Sequence, residues 1–147
     1  MKIVIANDHA AVDLKNEILD YVASLGHEVI NIGTDSHESV NYPEFGEKAA
    51  KMVAAGQVDL GILICGTGVG ISLAANKVKG IRCGVCSEAT TARLIRQHNN
   101  ANMIAFGARI VGPELAKDIV DAFLNAEFLG GRHATRVDMI TDIENRQ

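Results

Sequence analysis

Short apolar runs rich in isoleucine, valine and leucine alternate with segments of helical periodicity along this chain. Such runs, bounded by turn residues, predict strands, and the periodic segments between them predict helices. The predicted strands are Lys2–Ala6, Glu28–Ile32, Leu60–Cys65, Arg82–Cys86 and Asn102–Phe106. The predicted helices are Ala10–Leu25, Pro43–Ala55, Val69–Lys77, Glu88–Gln97, Gly112–Asn125 and Arg132–Ile143.

Regular alternation of strands and helices predicts right-handed crossovers and a parallel sheet with helices on both faces. Hydrophobic residues make up 48% of the chain and aromatic residues only 4%, so the core must be aliphatic. Continuous aliphatic strands are typical of a sheet that is buried on both faces. We therefore predict one α/β domain over residues 1–147, a doubly wound α/β/α sandwich.

Charge, cysteine content and the first residues bear on location and partners. A net charge of −4 argues against nucleic acid as the main partner, because phosphate backbones attract basic surfaces. The apolar run after Met1-Lys2 is too short for a signal-peptide core or a membrane span. Three cysteines, an odd number, argue against a secreted disulfide framework. We expect a cytoplasmic protein with neither a nucleic-acid nor a membrane partner.

A glycine-rich turn joins the third predicted strand to the next helix. Cys65 ends the strand, and the turn that follows consists of Gly66, Thr67, Gly68, Val69 and Gly70. Backbone N–H groups at such a strand–helix junction suit an anion, and they also stabilise a nearby thiolate. The pattern predicts an ionisable base or nucleophile beside an anion-binding turn. The alternatives are a tight connection without a ligand and a buried structural thiol.

The same turn also permits a nucleotide-binding interpretation. Its G-x-G-x-G spacing is close to the dinucleotide fingerprint G-x-G-x-x-G, and Glu88 lies about where a ribose-binding acid is expected. This alternative predicts an oxidoreductase that uses NAD or NADP. The glycine spacing differs, however, and the turn follows the third strand rather than the first.

Two histidines occupy positions of interest. Asp8 and His9 follow the first predicted strand, at the edge where ligands bind in doubly wound sheets. Asp8 could instead cap the first helix. His98 and Asn99 close the fourth predicted helix, where a histidine is also favourable for purely structural reasons.

Arginines gather at the start of the last predicted helix. Arg132 and Arg136 are four residues apart, so they share one helix face. Cations at a helix N-terminus oppose the helix dipole, and paired guanidinium groups there suit a phosphate. The alternative is a solvated face in which Asp138 is the partner. Arg109, after the fifth strand, lies at the ligand-binding edge of the sheet.

Cys83 and Cys86 have the spacing of a C-x-x-C redox or metal-binding motif. Residues three apart on a strand point to opposite faces. We therefore expect neither a shared metal nor a bridge between these thiols.

Taken in order, several motifs resemble one family: Asp8-His9, Asn41-Tyr42-Pro43, the segment from Ile64 to Ser72, Ala75-Asn76-Lys77, Gln97-His98-Asn99 and Gly130-Gly131-Arg132-His133. The chain resembles type B ribose-5-phosphate isomerase, whose family includes allose-6-phosphate and galactose-6-phosphate isomerases. The resemblance implies a Rossmann-like sandwich with a five-stranded parallel sheet. It also implies an aldose–ketose isomerisation through an enediolate, without a metal or cofactor, in the pentose phosphate pathway.

The resemblance also assigns roles to residues. It makes Cys65 the base that moves the proton from C2 to C1 of the sugar. The turn supplies donors to the enediolate oxygens, from the backbone of Gly66, Gly68, Val69 and Gly70 and from the Thr67 hydroxyl. Ring opening belongs to Asp8 and His98, the sugar site to Tyr42 and Asn99, and the phosphate site to His9, Arg109, Arg132 and Arg136.

The resemblance further implies a homodimer or a dimer of dimers. In the family, the residues corresponding to His98, Asn99 and the arginines reach the site from the partner subunit. A C-terminal helix over about 131–143 is therefore expected to contribute to the partner's site.

One segment departs from the family pattern. Ala10-Ala11-Val12 stands where the family usually has a glycine-containing pair and an aromatic residue. Because the chain carries the whole residue set, we expect interconversion of ribose 5-phosphate and ribulose 5-phosphate. The alternatives are a 6-phosphohexose isomerase acting on allose or galactose 6-phosphate, the nucleotide-dependent oxidoreductase, and a sugar-phosphate sensor without catalysis.

Overall fold

The computed structural model describes all 147 residues. Its strands are β1 (Lys2–Asn7), β2 (Glu28–Asn31), β3 (Leu60–Cys65), β4 (Cys83–Val85) and β5 (Met103–Gly107). All neighbouring strands pair in parallel, in the order β2-β1-β3-β5-β4. The predicted five-stranded parallel sheet is confirmed. The strand order reverses between β1 and β3, which is where doubly wound sheets bind ligands.

The helices are α1 (Val12–Ser24), α2 (Tyr42–Ala54), α3 (Val69–Ala75), α4 (Ala89–Asn99), α5 (Pro113–Leu124) and α6 (Arg132–Asn145). Each corresponds to a predicted helix, with ends that differ by a few residues. The prediction that the first helix starts at Ala10 is wrong. A separate 3₁₀ turn spans His9–Ala11, because the Asp8 carboxylate accepts the Ala10 N–H at 3.0 Å and Ala11 leaves helical geometry at φ −122°.

The core lies on both faces of the sheet, and successive strand residues alternate between the faces. Ile62 and Ile64 of β3 pack with α1, α4 and α5. Leu63 and Cys65 pack with α2 and α3. The predicted two-sided aliphatic core is confirmed. No helix has the length and apolar character needed to cross a membrane.

Helix α6 is an addition to the sandwich. It packs on α4, and only Val137 among its residues is buried. At its C-terminal end, both carboxylate oxygens of Glu144 accept the Gly80 N–H, at 3.1 and 3.0 Å. The helix is thereby fastened to its own chain while most of its surface stays exposed.

The three cysteines are all free. Cys83 lies in the core beneath α2 and α3, whereas Cys86 lies in the core on the opposite face of the sheet. This confirms that the C-x-x-C spacing does not bring the two thiols together. No group of histidine, cysteine, aspartate and glutamate side chains is arranged to hold a metal ion.

Candidate active site

Cys65 ends β3 at the carboxyl edge of the sheet, and its side chain is 4% exposed. It belongs to the core, as the buried-thiol alternative predicts. Its sulfur, however, accepts a hydrogen bond from the Gly68 N–H, with 3.1 Å between Sγ and N. The thiol therefore lies in contact with the backbone of the glycine turn.

The turn needs glycine at position 68. Gly68 has φ +81°, in the left-handed region, and a Cβ there would lie 2.8 Å from backbone carbons of Phe106. A side chain would collide with β5, and the collision could not be relieved by a rotamer change. Glycine thus lets the turn approach β5 closely enough to face the sulfur.

Backbone hydrogen bonds join the turn to the segment after β5. The Ala108 N–H donates to the Cys65 carbonyl at 2.8 Å, and the Arg109 N–H donates to the Gly66 carbonyl at 3.0 Å. The Arg109 guanidinium lies against Gly66, where a Cβ would be 3.3 Å from Nη1. The expectation that all the arginines reach the site from a partner is wrong for Arg109, because it lies at the turn of its own chain.

Two of the turn's predicted donors already have partners. The Gly68 N–H bonds to the Cys65 sulfur, and the Val69 N–H donates to Thr67 Oγ1 at 3.2 Å. The Thr67 side chain is exposed. The Thr67 hydroxyl therefore accepts a hydrogen bond within the turn, and the Thr67 side chain is exposed to solvent at the turn, where the resemblance assigns it as a donor.

Tyr42 and Gly70 lie in contact. Tyr42 is the first residue of α2, and a Cβ at Gly70 would lie 2.5 Å from the Cζ atom of its ring. The ring thus covers the end of the turn, and the missing side chain at Gly70 makes room for it. This contact places the predicted sugar-site tyrosine beside the predicted donors.

Asp8 and His9 complete the cluster. The Asp8 N–H donates to the Ile64 carbonyl at 3.2 Å, so this residue adjoins the end of β3. Its carboxylate accepts the Ala10 N–H, so Asp8 caps the 3₁₀ turn and not α1, whose N-cap is Ala11. The His9 Nδ1 accepts the Val40 N–H at 3.1 Å, so the neutral ring carries its proton on Nε2. We call this set the carboxyl-edge cluster: Asp8, His9, Tyr42, Cys65, the turn 66–70 and Arg109.

The remaining predicted residues form a second cluster. The His98 ring stacks on the His133 ring, with centroids 4.3 Å apart and planes 7° from parallel. This contact joins the end of α4 to the start of α6. Arg132 and Arg136 are exposed and form no ion pair, so the alternative pairing with Asp138 is absent. We call this set the amino-edge cluster: His98, Asn99, Arg132, His133 and Arg136.

The two clusters lie at opposite edges of the sheet. Helix α4 begins after the carboxyl end of β4 and runs back, so its last residues lie at the amino edge. There Arg82, which precedes β4, donates from Nε to the Asn99 carbonyl at 2.9 Å. A strand of five or six residues spans roughly 17–20 Å. One chain therefore does not bring His98, Asn99, Arg132 and Arg136 to the Cys65 sulfur.

Two residues have roles that the sequence interpretation did not assign. The imidazole of His133 is partly buried, and positive charge lies close by on His98, Arg132 and Arg136. Burial first, and then those charges, lower the pKa of His133. Glu88 accepts the Thr91 N–H at 3.0 Å as the cap of α4, so its carboxylate serves the helix rather than a ribose. In the sequence, the feature that could have indicated a role for His133 is its position beside Arg132, after a glycine pair.

Known proteins are similar to this chain along nearly its full length. Residues 3–140 match the ribose/galactose isomerase family. Ribose-5-phosphate isomerase B of Escherichia coli is 56% identical over 146 residues, covering 99% of this chain and 98% of that protein. The galactose-6-phosphate isomerase subunit LacB of Clostridium acetobutylicum is 48% identical over 128 residues, covering 87% of this chain and 74% of that one.

A solved structure has the same fold. Ribose-5-phosphate isomerase B of Clostridium thermocellum superposes with a TM-score of 0.98 at 56% identity and covers 99% of both chains. Family match, sequence identity and fold agree with the resemblance drawn from the motifs. The chain belongs to the ribose/galactose isomerase family, whose members are sugar-phosphate isomerases of the aldose–ketose type.

Proposed function

We propose that this protein interconverts ribose 5-phosphate and ribulose 5-phosphate through an enediolate, without a metal or a nucleotide cofactor. The observation that carries the proposal is the Cys65 sulfur, held 3.1 Å from the Gly68 nitrogen at the carboxyl edge of the sheet. Tyr42 lies against the turn at Gly70, and Asp8 adjoins the end of β3. The 56% identical relative is named for ribose 5-phosphate.

The proton transfer follows from this geometry. The Cys65 thiolate removes the proton from C2 of the open-chain aldose, and the electrons of that bond form the C1–C2 double bond of the enediolate. The oxygen on C1 gains negative charge, which the N–H groups of the turn stabilise. The proton of the C2 hydroxyl then passes to the oxygen on C1, and Cys65 returns the carbon-bound proton to C1, which leaves the carbonyl on C2 and gives the ketose. Losing one such donor costs about 3–4 kcal/mol in related chemistry, because the donor acts chiefly in the transition state.

The phosphate takes no part in the proton transfer. We assign it to His9 and Arg109 of one cluster and to Arg132 and Arg136 of the other, because guanidinium groups bind phosphate in a bidentate manner. Ring opening is assigned to Asp8 and His98, and the sugar hydroxyls to Tyr42 and Asn99. Phosphate binding then holds C2 in register with the sulfur.

The complete site requires two copies of the chain. The split between the carboxyl-edge and amino-edge clusters supports this, since two antiparallel copies can bring opposite clusters together. Apolar residues beside the turn support it as well, because Leu73 on α3 is 61% exposed and Val69 is 48% exposed. We therefore propose a homodimer, or a dimer of dimers, in which α6 completes the partner's site.

Hexose phosphates are the second candidate substrates, because the galactose-6-phosphate isomerase subunit is 48% identical. Within the departing segment Ala10-Ala11-Val12, Ala11 and Val12 are buried and Ala10 is half-buried, and this burial does not decide between the sugars. Comparing kcat/KM for ribose 5-phosphate, allose 6-phosphate and galactose 6-phosphate tests the choice. A preference for a 6-phosphohexose would overturn the pentose assignment.

A cytoplasmic role in the pentose phosphate pathway completes the proposal. The free state of all three cysteines supports a reducing compartment. An assay coupled to ribulose 5-phosphate formation tests the activity directly. Binding of ribose 5-phosphate with no turnover would instead favour a non-catalytic sensor, and heat of binding with NAD would favour the oxidoreductase.

A further inference from the structure

The loop of residues 33–41 joins β2 to α2 and has no regular structure. At one end the Thr34 carbonyl accepts a hydrogen bond from Asn7 Nδ2, at 3.1 Å. At the other end the Val40 N–H bonds to His9, and Tyr42 follows within two residues. The loop therefore touches two residues of the proposed sugar-phosphate site.

A buried lysine lies beneath this loop. Lys15 of α1 has a side chain that is 0% exposed, and its ammonium group pairs with the carboxylate of Asp35 in the loop. Asn31 Nδ2 donates to the same carboxylate oxygen at 3.1 Å. The Asp35 side chain is 71% exposed, so the acid covers the lysine from the solvent side. The hydrogen bonds from Lys15 and Asn31 lower the pKa of Asp35 and keep it ionised.

Such a pair is poorly explained by stability alone. Withdrawing an ammonium group from water is costly, and apolar replacements of buried ion pairs are often neutral or stabilising. The pair instead fixes the position of the loop. Because Lys15 is fully buried, its ammonium group can be reached at one point only, and the loop has to bring Asp35 to that point. Two side-chain pairs join the loop to α1. The first is Lys15 with Asp35, and the second is the exposed pair of His37 and Asp13, at 3.2 Å.

We infer that Lys15 and Asp35 are positioning residues that hold the 33–41 loop in place and thereby orient His9 and Tyr42 toward the sugar phosphate. The effect on sugar-phosphate binding rests on the proposed function, whereas the holding of the loop does not. With the loop held, the Val40 N–H engages His9 Nδ1 and leaves Nε2–H as a donor for an anion. With the loop released, substrate binding has to order the loop again, which weakens binding without changing the proton transfer.

The test compares Lys15→Met with the wild type and with Lys51→Met. Lys51 pairs with Glu47 on the surface of α2, so its variant removes an equal charge elsewhere. For Lys15→Met we expect a rise of about tenfold in the KM for ribose 5-phosphate, with kcat within about twofold of the wild type. In a His9→Ala background the same substitution should raise KM much less, because the positioned group is gone. Lys51→Met should leave both constants unchanged.

Hydrogen exchange of residues 33–41 gives a readout that does not depend on the activity. Lys15→Met should exchange faster there. Lys15→Leu serves if Lys15→Met does not fold, because it likewise leaves no buried ammonium group without a partner. Unchanged exchange, or a mobile loop with an unchanged KM, would overturn the inference. If the wild type does not isomerise ribose 5-phosphate, the proposed function fails, and the inference is then judged by loop exchange and by the affinity for inorganic phosphate.

Discussion

The Cys65 sulfur and the Gly68 nitrogen lie 3.1 Å apart, joined by a hydrogen bond across the glycine turn. A thiol at this position touches the same backbone that is proposed to receive the charge of the enediolate. The close packing of Gly68 on Phe106 maintains the contact. Any side chain at position 68 has to move the turn away from β5, and the donors would move with it.

We therefore expect Gly68→Ala to lose activity as well as stability. The left-handed backbone alone costs about 1–2 kcal/mol for a residue with a Cβ. The collision with Phe106 adds to this and displaces the donors, so kcat should fall by roughly 100-fold or more. Gly56→Ala is the matched control, because Gly56 has φ +69° with no atom within 4 Å of a Cβ. The control should lose stability only, and full activity in Gly68→Ala would contradict this description of the turn.

Selective alkylation should separate the three thiols. Burial raises the pKa of Cys83 far above its usual range, and burial with the nearby charge of Glu88 raises the pKa of Cys86 to about 11. Neither is a thiolate near neutral pH, so iodoacetamide should label Cys65 first, and ribose 5-phosphate should protect it. Peptide mapping by mass spectrometry measures the labelling. Faster modification of Cys86 than of Cys65 would be the contrary result.

The stacked histidines predict a pH dependence of stability. Folding lowers the pKa of His133 from its usual 6.5, so the unfolded chain takes up the proton first as the pH falls. The free energy of unfolding should therefore decrease from about pH 6.5 downward, through the folded-state pKa. Urea unfolding at a series of pH values measures this, and His133→Asn should flatten that part of the profile. An unchanged profile in His133→Asn, with His27→Gln as control, would exclude the stack as its cause.

Mixing inactive variants tests the composite site. Cys65→Ala damages the carboxyl-edge cluster, and Arg132→Ala with Arg136→Ala damages the amino-edge cluster. Statistical exchange of subunits makes half the dimers mixed, each with one intact site, so activity should recover to about a quarter of the wild-type value. Cys65→Ala mixed with Tyr42→Ala damages the same cluster twice and should stay inactive. Recovery in both mixtures, or in neither, would refute the shared site.

Much of the fold followed from local sequence patterns. Strand β3 has its predicted bounds, and the glycine turn and the starts of α3 and α6 lie where they were predicted. Strand β4 begins one residue later than predicted because the Arg82 N–H bonds to Asn102 Oδ1 at 2.9 Å instead of to a strand partner. Here a side chain replaces the backbone acceptor of a strand partner. That side chain belongs to a residue 20 positions away, so a local sequence pattern does not predict the bond.

The features that the sequence did not predict all depend on tertiary contacts. Lys15 lies in an amphipathic helix, where a lysine is ordinarily exposed, and its burial depends on Asp35 in a loop after β2. The stack of His98 on His133 depends on how α6 returns to α4. The separation of the carboxyl-edge and amino-edge clusters could have been predicted from the sequence, since a helix between parallel strands has to end at the amino edge of the sheet.

In the proposed mechanism the Cys65 sulfur carries the proton between C2 and C1. NMR in deuterated water measures this directly, because the proton that the Cys65 sulfur holds during the lifetime of the enediolate exchanges with the solvent before it is returned to carbon. The wild type should incorporate deuterium into the sugar phosphate, whereas Cys65→Ala should bind ribose 5-phosphate and incorporate none. Deuterium incorporation by Cys65→Ala at the wild-type rate would contradict the claim.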